Sequence, residues 1–126
     1  WIPIWAGVAT KSQGESVLIK IMDPAIFNTK IPFPTLDASH PKFNPEKGYW
    51  RGPVWMDQAY FALMGMKKYG YENEALQLTS KIFSEIQYPA LFENYHPISG
   101  TGLNSPHFSW TAAHLYLMHI EILKQN

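Results

Sequence analysis

Apolar positions recur with helical spacing in four stretches of this chain, and the stretches alternate between two kinds. From Ser12 to Met22, polar Ser12, Gln13, Glu15 and Lys20 are interleaved with apolar Val17, Leu18, Ile21 and Met22, an amphipathic helix that stops at Asp23-Pro24. The second stretch opens at Pro53, a residue suited to a first helical position, and runs to about Tyr69 with Gly70 as its stop. Between Val54 and Met66 only Asp57 and Gln58 break the apolar run, which predicts burial on all sides. The third helix spans about Glu72 to Ile86. Ala75, Leu78, Ile82, Phe83 and Ile86 form its apolar stripe, while Glu74, Gln77, Lys81 and Glu85 face water. The fourth follows Ser109, placed to act as an N-cap, and reaches about Leu123. It is again apolar nearly all round, through Ala112, Ala113, Leu115, Tyr116, Leu117, Met118, Ile120 and Ile122.

Half-wet helices therefore take turns with nearly dry ones, which predicts an all-α fold with two concentric rings of helices. A plain four-helix bundle fits less well, because each of its helices keeps a wet face. Four helices cannot close a double ring, and dry helices standing alone would leave large apolar patches in solvent. The pattern thus calls for partners upstream of Trp1 or for self-association. The chain starts at Trp1 without an initiator Met or a charged-then-apolar leader, so it reads as a piece of a longer protein, and its compartment stays open. Two connections, Pro24–Gly52 and Gln87–Phe108, exceed the ~12–15 residues beyond which structureless loops become uncommon and are often functional. Both lead into a dry helix, which places them at one rim of the double ring. No repeat or linker divides residues 1–126, so they form one segment.

Composition narrows the function. With 126 residues and 46% apolar positions the chain is globular. Ten basic and ten acidic residues balance, which argues against nucleic acid or an anionic membrane as partner, and no apolar run is long enough to span a bilayer. The absence of Cys removes disulfides and zinc–thiolate sites. None of the five His residues forms an HExxH-type pair, and no phosphate loop or nucleophile elbow is present, so no metal or cofactor is expected. His114 and His119, five apart, read as a satisfied core His and a surface His.

Five Trp, seven Tyr and seven Phe are compatible with a ring-rich core, which composition alone favours, or with a carbohydrate site, and position has to decide between them. In Tyr49-Trp50-Arg51-Gly52-Pro53-Val54-Trp55, two indoles and a guanidinium flank a turn fixed by Gly and Pro, which offers rings for stacking and donors for hydroxyls. In Phe92-Glu93-Asn94-Tyr95-His96-Pro97, a carboxylate stands among rings at the rim, suited to acid–base work. The third cluster, His107-Phe108-Ser109-Trp110-Thr111-Ala112-Ala113, opens the last dry helix and is equally compatible with core packing.

These three clusters, in this order and with Ser99-Gly100, Lys68-Tyr69-Gly70-Tyr71 and Pro32-Phe33-Pro34-Thr35-Leu36 alongside, resemble the C-terminal end of glycoside hydrolase family 63, the processing alpha-glucosidases and their bacterial relatives. The resemblance implies the C-terminal portion of an (α/α)6 barrel and hydrolysis of alpha-linked glucosides with inversion. Inversion uses two carboxyl groups about 6.5–9.5 Å apart, one protonating the leaving group and one activating water. The family's general base maps onto Glu93. Its general acid, an Asp in an upstream motif, has no counterpart here, because Asp23, Asp37 and Asp57 lie in no such motif. Asp57, in the first turns of its helix, reads as structural. Trp50, Arg51, Trp55, Tyr95, Phe108 and Trp110 are the residues implied to line the sugar subsite. The implied partners are a carbohydrate substrate and the rest of the catalytic domain; the location stays unknown, the resemblance being compatible with a periplasmic or secreted one. Trehalases share a looser version of the pattern, and a helical module that binds glycans or proteins without cleaving them is the reading from another class.

Overall fold

The computed structural model describes residues 1–86 and 90–124. Among them are five α-helices, α1 (Ile2–Ala6), α2 (Lys11–Met22), α3 (Met56–Lys68), α4 (Glu72–Glu85) and α5 (Ser109–Met118), and a hairpin of β1 (Phe92–Tyr95) with β2 (Gly102–Pro106). The last helix continues into a π-helical turn, His119–Leu123. No helix among the described residues is long and apolar enough to cross a membrane.

The four predicted helices are present, with shifted ends. Thr10 rather than Ser12 starts α2, because Thr10 Oγ1 accepts from Gln13 N while Gln13 Oε1 accepts from Thr10 N at 2.8 Å, a reciprocal capping box. Helix α3 begins three residues beyond Pro53. Val54 is extended instead, and its N–H and C=O pair with the C=O and N–H of Tyr95 at 2.8 and 3.0 Å. Those groups cannot also serve a first helical turn. In α5 the N-cap is Phe108, without a side-chain bond, and Ser109 is the first helical residue.

The core is shared by α3, the inner stripe of α4 (Ala75, Leu78, Ile82), the loop residues Ile31 and Phe33, and Leu115, Met118 and Ile122 from the chain's end. Helix α1, which the hydrophobic pattern did not reveal, lies against α3 where Gly65 allows close approach. A Cβ on Gly65 would stand 2.8 Å from both Ile4 Cγ1 and the Trp5 backbone nitrogen. Gly70 ends α3 in the left-handed conformation, with φ of 86°.

One expectation is corrected, and the exposed face expected of a dry helix standing alone is present in the last helix. The all-α description omits the hairpin, which lies inside the predicted structureless connection Gln87–Phe108; residues 87–89 of that connection fall outside the described part. Asn94 pairs with Leu103 and Tyr95 with Gly102, and the ladder is irregular between Phe92 and Asn94. The fourth helix is dry in composition but not in place. Leu115 and Met118 are buried, whereas Tyr116 is 64% and Trp110 43% exposed. A hydrophobic pattern reports the face a helix can bury, and these 126 residues cover only part of it.

Candidate active site

The two long connections meet. The bridges Pro34–Val54 and Val54–Tyr95 bring the segment before α3 against β1, and the phenol O–H of Tyr49 donates to Glu93 Oε1 at 2.8 Å. The start of α5 is tied to the same strand. Buried Thr111 donates from Oγ1 to the Phe92 carbonyl at 2.7 Å, and Phe108 N donates to the Leu91 carbonyl at 2.9 Å. Thus the three sequence clusters, far apart along the chain, converge around Glu93.

An aromatic wall runs beside that carboxylate. Trp55, only 2% exposed, is its centre. Trp50 stacks on it with ring centroids 4.2 Å apart and planes at 11°. Tyr49 stands perpendicular to it at 4.9 Å, and Trp110 meets its edge at 5.8 Å. Phe108 lies 6.3 Å from Trp110. The Trp55 indole N–H donates to the Tyr49 carbonyl at 3.0 Å, which links the wall to the turn that carries the phenol. Trp50, at 47% exposed, presents its outer face to solvent, where a sugar ring could stack.

Arg51 sits on the same turn with an exposed side chain that makes no hydrogen bond or ion pair among the described residues. Its backbone holds the turn, donating to Gly48 O and accepting from Asn44 N. Tyr95 is placed differently from the other nominated residues. It is 1% exposed, and its hydroxyl accepts the Phe92 N–H at 3.0 Å, so its ring supports the strand beneath Glu93. Asp57 is buried in the first turn of α3, with Oδ2 accepting from Gln58 Nε2 at 2.9 Å. His114 lies half-buried with Nδ1 2.8 Å from the Trp110 carbonyl, and His119 is exposed. Among the described residues no three His, Asp or Glu side chains are grouped to hold a metal.

Sequence reasoning did not single out Tyr49. It lay inside a quoted motif, but its bond to a residue 44 positions away leaves no trace in local spacing. The hydrogen bond to Glu93, then desolvation, then the carboxylate's charge raise the Tyr49 phenol pKa above its ordinary 10.0. The backbone is unusual here too, since Tyr49, Asn104 and His107 have φ of 56°, 61° and 57°. A separate cleft of about 350 Å³ is lined by Trp1, Val17, Ile21, Phe27 and Gln58, none of them a nominated residue.

Residues 1–111 match the family of mannosylglycerate hydrolase MGH1-like glycoside hydrolase domains. The chain belongs to this glycoside hydrolase family. It is 30% identical over 116 residues to the mannosylglycerate hydrolase of Rubrobacter radiotolerans, covering 90% of this chain and 26% of that protein. It is 32% identical to mannosylglycerate hydrolase MGH1 of Selaginella moellendorffii, covering 90% and 23%. A solved GH63 mannosylglycerate hydrolase from Thermus thermophilus, in complex with glucose, superposes with a TM-score of 0.79 at 25% identity, over 91% of this chain and 28% of that one. The resemblance to family 63 is thereby borne out, and the chain spans about a quarter of the length of these relatives.

Proposed function

We propose that this chain supplies the general base and one wall of the sugar pocket in an inverting alpha-glycosidase whose (α/α)6 catalytic domain extends beyond these residues. Glu93 takes a proton from water as the water attacks the anomeric carbon. A carboxylic acid carried outside this segment protonates the departing oxygen, and product forms with inverted configuration. Trp50, Phe108 and Trp110 give the sugar's C–H face a surface to stack on, buried Trp55 backs that wall from behind, and Arg51 offers donors to the sugar's hydroxyls. The observation that carries this reading is the half-buried Glu93 carboxylate, held by Tyr49 beside the tryptophan wall. The substrate class is an alpha-linked glucoside. Mannosylglycerate is the alternative that the relatives' activity favours.

The test is an assay of the full-length enzyme and its Glu93→Gln variant on alpha-glucosides, trehalose and mannosylglycerate. Loss of a general base costs about 10²–10⁴-fold. A loss of that size in a folded variant supports Glu93 as the base, and retained activity rejects it. The substrates turned over separate glucosidase, trehalase and mannosylglycerate hydrolase. Inactivity of the parent on all of them would favour a binding module. With the acid absent, the 126-residue chain alone is expected to turn over none.

A further inference from the structure

We propose that Tyr49 is the positioning residue for Glu93: it holds Oε1 and leaves Oε2 to take the proton, an assignment that rests on reading Glu93 as the general base. A glutamate has three rotatable side-chain bonds, and a base must be held to a fraction of an ångström to work. The only hydrogen bond to the Glu93 carboxylate among the described residues comes from the Tyr49 phenol, at 2.8 Å to Oε1.

Tyr49 is itself held against its preference. Its φ of 56° is a left-handed conformation that bulky residues avoid, so the surroundings must impose it. Two features do so. The Trp55 indole N–H donates to the Tyr49 carbonyl at 3.0 Å, and the Trp55 ring stands at 89° to the phenol, 4.9 Å away. The preceding turn is closed by Gly48 N donating to Asn44 O, and at Gly48 a Cβ would lie 2.3 Å from that same carbonyl oxygen. The Trp55 indole thus pins the Tyr49 carbonyl, the tight turn before it leaves no room for a side chain at position 48, and the phenol holds the carboxylate. A backbone held off its preference next to a reactive group is how sites pre-organise a side chain.

Two measurements test this. In the chain with ring-labelled tyrosine, Glu93→Gln should let the Tyr49 phenol titrate at lower pH by NMR, since the charge and the strongest hydrogen-bond acceptor are gone. An unmoved titration overturns the contact. In the full-length enzyme, Tyr49→Phe should lower kcat by about 10–100-fold, as misplacement of a catalytic group does, and change KM less than about threefold. It keeps the ring, so circular dichroism and Tm should match the parent. In a Glu93→Gln background the same substitution should cost less than about twofold, because its only route to the reaction is then removed. An undiminished loss there means that Tyr49 acts on the sugar directly, and full activity of Tyr49→Phe means that it positions nothing; either overturns the proposal. Full activity of Glu93→Gln alone overturns the base assignment first, and the proposal with it, which tells the two failures apart.

Discussion

Trp55→Phe probes the joint between fold and site. Trp55 is buried at 2% exposed, stacks on Trp50, meets Tyr49 and Trp110 edge-on, and donates its N–H to the Tyr49 carbonyl. Phenylalanine keeps a ring in place but removes that donor and the outer part of the indole. The lost hydrogen bond costs about 0.5–1.5 kcal/mol. Reduced overlap with its neighbouring rings costs about 1 kcal/mol. The missing ring atoms and the space they leave add about 1–2 kcal/mol. Together these come to about 2.5–4.5 kcal/mol, which for a chain of this size lowers Tm by roughly 10–15 °C. Trp50→Phe is the control. Trp50 lies half in solvent, with its ring stacked on one side only, and the substitution should cost less than about 1 kcal/mol. Urea unfolding followed by circular dichroism measures both. If Trp55→Phe costs no more than Trp50→Phe, Trp55 is not the centre of the wall and does not hold Tyr49 in place.

Two further substitutions address the scaffold. Gly65→Ala should destabilise by about 1–3 kcal/mol, because the new Cβ meets Ile4 and the Trp5 backbone at 2.8 Å. Helix propensity alone would stabilise that variant by up to about 1 kcal/mol, so the sign of the change in thermal unfolding decides between the two. Tyr60 donates its hydroxyl to both Glu121 oxygens, at 3.2 and 3.1 Å. Its pKa is raised above 10.0, first by desolvation and then by the charge and hydrogen bond of Glu121. A raised folded pKa gives stability that is present below 10.0 and lost as pH climbs through the folded value. Tyr60→Phe should therefore be less stable than the parent at neutral pH, and the gap should narrow above pH 10, as read from urea midpoints across that range.

Much of this was legible in the residues because it is set locally. Helical periodicity marked the helices from Lys11 to Leu123 to within a few positions, since burying one face is what makes a helix worth forming in water. It missed α1, whose five residues are too few to show a period. It also missed the hairpin, whose strands gain their partners only through pairing. Pro53 misled for a related reason: it suits a helix start, but the pairing of Val54 with Tyr95 takes up the backbone groups involved.

The sequence by itself determined the helices, the kinds of side chain at the rim and the family they resemble. Those follow from spacing and residue type, which are properties of the chain read in order. Only the tertiary structure decided which nominated residues share a site and which lie under it. Tyr95 and Trp110 are both aromatic and both follow Glu93 in the chain, yet one is 1% exposed beneath the strand and the other 43% exposed on the wall. The bond from Tyr49 to Glu93 was likewise invisible beforehand. A contact across 44 residues depends on how the loops before α3 and before α5 are brought together, and that is set by packing rather than by either loop's own sequence.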